Sequence, residues 1–140
     1  MKRLIGLTSA ALIFGALIGP STAMAAGKGA VATPFTEAPY AFGTTTWACS
    51  GAHIVQTQAN NSFYKDSETC LITGDTTGYV AGTYSSDPNS AWGTVPGIGY
   101  VQWSSDSPLE SGALATSWTD TISLNTDGSF TANIVAYYAQ

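Results

Sequence analysis

The clearest alternation of apolar and polar positions lies at the C-terminal end of the chain. Trp118, Ile122 and Leu124 are followed by the turn sequence Asn125-Thr126-Asp127-Gly128, and then by Phe130, Ala132 and Ala136. Thr119, Thr121, Ser123 and Thr131 occupy the intervening places. A period of two is the mark of a half-buried strand. The turn has glycine where a three-residue hairpin loop needs a left-handed residue. Pairing Asn125 with Ser129 sets Leu124 opposite Phe130, Ile122 opposite Ala132 and Trp118 opposite Ala136, so one apolar stripe runs down both strands. Turn and pattern agree on this single register.

Further upstream the strands are shorter. Segments 40–46 (interrupted near Gly43), 46–57, 63–73, 79–84, 100–104 and 113–124 read as strands, with turn chemistry at Gly74-Asp75-Thr76-Thr77-Gly78 and around Pro96-Gly97. Residues 85–99 read as a long loop carrying Trp92, and 105–112 as a second loop. About seven short strands predict an all-β fold, a small antiparallel β-sandwich or alternatively a small β-barrel. Composition agrees: downstream of residue 25, helix-surface residues are scarce and Ser and Thr are abundant.

Cys49 and Cys70 are the only cysteines. Two cysteines and no C-x-x-C predict one disulfide in an oxidising compartment. They lie symmetrically about Ala59-Asn60. A plain hairpin closing there gives paired positions summing to 119, which places Cys49 opposite Cys70, His53 opposite Asp66 and Val55 opposite Tyr64. A turn centred on Asn60-Asn61 would shift the sum to 121, a bulge at Ser50-Gly51 would disturb either register, and a bridge between two packed sheets is the remaining alternative. Asn60-Asn61-Ser62 also matches a glycosylation sequon and is read as a turn.

The first 25 residues carry a basic pair, Lys2-Arg3, an apolar run from Leu4 to Ile18, and Ala23-Met24-Ala25, an A-x-A cleavage pattern. These are the parts of a secretory signal peptide. The expected organisation is a signal peptide over 1–25, a flexible N-terminal arm over 26–39 and one β domain over 40–140. The exported part keeps Lys28 and Lys65 against nine acids, a net charge of −7. Two scattered lysines make nucleic acid and anionic membranes poor partners, because phosphate binding needs clustered cations. After the signal no apolar run approaches the roughly 18 residues needed to span a bilayer. The expected location is extracellular.

Four constellations bear on chemistry. Asp66 and Glu68, two apart on a strand, put two carboxylates on one face; the reading adopted is a solvated face, with a glycosidase-like pair as its rival. His53 opposite Asp66 suits a cross-strand ion pair, and also the base of a Ser nucleophile, although no serine sits in an elbow motif. Asp75, Asp87, Asp106 and Asp127 lie in oxygen-rich turns without a calcium-loop spacing, so no metal or other cofactor is expected. The aromatics Trp92, Tyr84 and Trp103, in or flanking the 85–99 loop, are the candidate ligand-binding residues, since exposed rings grip sugars or protein partners. Packing in the core is the rival reading for each.

The stretches Cys49 to Val55, Lys65 to Cys70, Trp103 to Asp106 and Ala136 to Tyr138 resemble small exported bacterial β-sandwich proteins of unknown function. The resemblance implies a fold and no activity. The expectation is therefore a secreted, non-enzymatic binding protein whose ligand is a cell-wall glycan or another extracellular protein. Inhibition of a secreted hydrolase through the 85–99 loop is the alternative. A small hydrolase built on Asp66, Glu68 and His53 is the third reading.

Overall fold

The computed structural model describes residues 5–6, 30–58, 61–105, 107 and 111–139. Among these there are eleven strands and no helix: β1 (Ile5–Gly6), β2 (Ala30–Thr36), β3 (Tyr40–Phe42), β4 (Thr45–Gln58), β5 (Asn61–Gly74), β6 (Gly82–Ser85), β7 (Gly93–Val95), β8 (Gly99–Val101), β9 (Trp103–Ser104), β10 (Ser117–Leu124) and β11 (Phe130–Ala139). Seven of them form one antiparallel sheet in the order β2-β4-β5-β11-β10-β6, with β3 also on β4. It does not close into a barrel. Strands β7 and β8 make a small antiparallel hairpin, and β1 pairs in parallel with β9.

Both long hairpins adopt the expected registers. Strands β4 and β5 pair from Thr45↔Gly74 to Gln58↔Asn61, every pair summing to 119, and the intervening Ala59 and Asn60 lie outside the described residues. Cys49 faces Cys70 at a Cα separation of 4.0 Å and is disulfide-bonded to it. Strands β10 and β11 pair from Ser117↔Tyr137 to Leu124↔Phe130, as the turn chemistry requires. Asn125 N–H donates to the Ser129 carbonyl at 2.8 Å, and Gly128 has φ 87°.

The registers align residues into rows across the sheet. One row runs Cys49, Cys70, Ala132, Ile122; the next, Gly51, Glu68, Ile134, Asp120, Tyr84; the next, His53, Asp66, Ala136, Trp118. Side-chain alternation sends all of these to one face. That face is covered by residues 86–105 and 111–116, which bring in Val95, Ile98, Val101, Trp103 and Ala115. Trp103 lies between Trp47 and Trp118, 6.3 Å from each by ring centroids. The opposite face is largely Ser, Thr and Ala, with Thr46, Ser50, Thr69, Thr73, Thr119 and Ser123 exposed. The sandwich is thus asymmetric, a broad sheet under a narrow cover.

The sequence reading needs four corrections. Ala30–Thr36, placed in a flexible arm, is the edge strand β2, because every residue finds an antiparallel partner on β4. The expected loop 85–99 contains β7, whose Gly93, Val95 and Val101 partners bury one side of the hairpin. Asp66 and Glu68, assigned to a solvated face, are each only 3% exposed. They share the parity of Tyr64, Cys70 and Ile72 and so go under the cover. Trp103 is fully buried, which removes it from any binding surface. Of the expected signal peptide only Ile5 and Gly6 are described; its cleavage site and residues 26–29 lie outside the described residues.

Candidate functional site

The cover rests on Trp118. Its indole Nε1–H donates to the Ala91 carbonyl at 2.9 Å, and its backbone carbonyl accepts from Ser86 N–H at 3.0 Å. Gly93 lies flat against the ring: a Cβ there would come within 2.6 Å of Trp118 Cζ2. Any side chain at 93 would lift the hairpin away. Just before it, Asn89 and Ala91 have φ of 67° and 56°. Asparagine tolerates this left-handed region, whereas for alanine it stores strain of about 1 kcal/mol or more. The indole bond to the Ala91 carbonyl holds that conformation.

The consequence is the orientation of the next residue. Trp92 projects half-exposed from the cover and stacks on Tyr100, with centroids 5.2 Å apart and planes at 11°. Tyr100 pairs with the exposed Thr94 across β7–β8, on the hairpin face that points away from the core. Two aromatic rings are therefore fixed at the surface, one stacked on the other. Tyr84 does not join them: it lies in the row with Asp120, and its hydroxyl donates to the Val80 carbonyl at 2.6 Å. Sequence reasoning found Trp92 but missed Tyr100. The signal was present, since Val101 and Trp103 alternate with Tyr100 on the opposite parity.

The buried polar groups form a second constellation. His53 Nδ1 lies 2.6 Å from Asp66 Oδ1, the expected cross-strand pair, but enclosed rather than solvated. Tyr64 O–H donates to the same Oδ1 at 2.8 Å. Ser105 Oγ–H donates to the Tyr64 oxygen at 3.3 Å, and Ser107 N–H to Ser105 Oγ at 3.2 Å. Every donor in the chain points toward one carboxylate. Burial, supported by the adjacent Asp66 charge, raises the Tyr64 hydroxyl pKa well above its usual value, against the lowering bonds from Ser105 and Ser107. Phe35 on β2 stacks on the His53 ring at 4.4 Å.

A serine nucleophile would have to present its hydroxyl to the imidazole nitrogen left free by Asp66. The Ser105 hydroxyl instead sits on the Tyr64 side of the carboxylate. Asp66 and Glu68 lie beneath the cover, where no sugar could lie between them.

Metal chemistry has little to work with among the described residues. Cys49, Cys70 and Glu68 place donor atoms within 4.8 Å of one another, but both sulfurs are tied in the disulfide. Asp75 and Asp127 are spent within their turns. Asp75 accepts from Thr77 N–H and Oγ1–H, Asp127 from Ser129 N–H and Oγ–H, and these bonds hold both carboxyls below their usual pKa. Asp106 lies outside the described residues.

Asp120 is the exception among the buried acids. It is fully buried, neither carboxylate oxygen has a hydrogen-bond partner among the described residues, and burial pushes its pKa up to about 7. A carboxyl without donors stays neutral until the solvent can offset the cost of charging it.

No family model matches the chain, and neither the curated proteins nor the solved structures contain a match, so the site is read from its own geometry.

Proposed function

We propose that the protein is an exported, non-enzymatic binding domain that holds a neutral extracellular glycan on the Trp92–Tyr100 pair. The observation that carries this reading is the fixed, outward orientation of that pair on a hairpin anchored through Ala91 and Trp118. Sugar rings present C–H faces that pack on aromatic faces, and rings already held in place lose little entropy on binding. The signal-like leader, the disulfide and the abundance of Ser and Thr support an extracellular setting. The acidic balance favours a neutral ligand over an anionic one.

Co-sedimentation with insoluble cellulose, chitin and peptidoglycan tests this directly. Retention of the parent chain on one of them, weakened about 30-fold or more by Trp92→Ala, is the expected result. No retention on any polymer, or equal retention of the variant, contradicts it. Residual activity of secreted hydrolases incubated with the protein separates the inhibitor reading from the glycan one.

A further inference from the structure

Asp120 sits on the core face of β10, one strand in from the edge strand β6, and among the described residues every element around it is apolar or lacks positive charge. On its own strand its same-face neighbours are Trp118 and Ile122. Strand β11 sets Ile134 beside it, between Ala132 and Ala136. Strand β6 sets Tyr84 on its other side, with the phenol engaged to Val80. The cover contributes Trp103, packed edge-on against Trp118, with its own buried Nε1 lacking a partner among the described residues. The next acids on this face are Glu68, beyond Ile134 in the same row, and Asp66, beyond Ala136 in the adjacent row. The only histidine, His53, lies past Asp66 at the far side of the sheet. Lys65 is on the opposite parity of β5. No cation offsets a charge at Asp120 among the described residues, whereas Asp66 collects two donors on one oxygen.

We propose that Asp120 is a proton-dependent clamp on the covering layer: protonated, it lies silent in the apolar core, and on ionising it drives the described cover, residues 86–105 and 111–116, away from the sheet. Beneath the cover, β10 is paired along its whole length to β11 and, from Thr119 to Ile122, to the short edge strand β6. The cover is held near Asp120 by a few contacts, chiefly the Ala91 carbonyl on the Trp118 indole and Ser86 N–H on the Trp118 carbonyl. Parting the cover from Trp118 would open the core face beside the carboxylate to water. The folded-state pKa stands above the unfolded one, so the stabilisation is complete below the ordinary carboxylate range. It is lost as pH rises toward and through about 7. Because the cover carries Trp92 and Tyr100, alkaline conditions disorder that surface, whatever it binds.

Amide hydrogen exchange of residues 86–105 and 111–116, corrected for intrinsic rates and compared at pH 5 and pH 8, tests the clamp. In the parent chain protection falls at least about tenfold between the two, with a ceiling near a hundredfold, because about one unit of the three-unit shift is already lost by pH 5. Asp120→Asn keeps the shape without the charge and abolishes the fall. An equal fall in the variant, or none in the parent, overturns the proposal. Should the variant fail to fold, carboxyl carbon-13 titration of the parent decides. A midpoint near neutrality for Asp120 supports the clamp, and a midpoint in the ordinary carboxylate range overturns it.

Discussion

The two long hairpins have the same architecture and opposite inner faces. In β10–β11 the inward residues are Trp118, Ile122, Phe130, Ala132, Ile134, Ala136 and Tyr138, interrupted only by Asp120. In β4–β5 they include His53, Tyr64, Asp66 and Glu68, gathered beside the disulfide. The first hairpin is held by apolar burial. The second buries polar groups and compensates with a covalent link and converging hydrogen bonds. A buried carboxylate is tolerated when donors are built around it, and becomes a liability that depends on pH when none are. Asp66 is the first case and Asp120 the second.

This contrast is breakable at several points. Trp118→Ala should have the largest effect, because it removes a buried indole and the seat of the cover together. A loss of about 3–5 kcal/mol in unfolding free energy is expected from urea titration. Removing the staple with Cys49→Ala and Cys70→Ala should cost about 3 kcal/mol, from the closure entropy of a loop with sequence separation 21. A loss below about 1 kcal/mol would mean that the β4–β5 network is self-sufficient. Phe35→Ala should be the mildest, about 1 kcal/mol. It leaves the His53–Asp66 bond in place and removes only the half-buried ring stacked on the imidazole.

Much of the fold was legible in the sequence, because hairpin register is a local property. The Asn125–Gly128 turn and the stripe on either side of it determine β10–β11, and the cysteine spacing about Ala59-Asn60 points to β4–β5 while leaving a register summing to 121 and an inter-sheet bridge open until the pairing is seen. The polarity of the inner face was not legible residue by residue. Aspartate and glutamate on a strand look solvated when judged by type. Asp66 and Glu68 share the parity of Tyr64, Cys70 and Ile72, and that parity outweighs type once a cover exists. The cover itself is assembled from residues 86–105 and 111–116, whose pairing is short and whose partners are distant. No periodicity announced it. Asp120 was overlooked for the same reason, standing between Trp118 and Ile122 as a single polar interruption of an apolar stripe. Half of the surface aromatic pair was found because Trp92 lies in a turn-rich segment. Tyr100 is recognisable only when β8 is seen to turn Val101 inward.

The most direct test of the contrast is a pair of urea unfolding titrations at pH 8, one for Asp66→Asn and one for Asp120→Asn. Asp66→Asn weakens the bonds from His53 and Tyr64 to a carboxylate and should lower the unfolding free energy by about 2 kcal/mol. Asp120→Asn removes a buried charge that nothing offsets and should raise it by about 1–3 kcal/mol. Shifts of opposite sign are the predicted result; two shifts in the same direction would contradict the account.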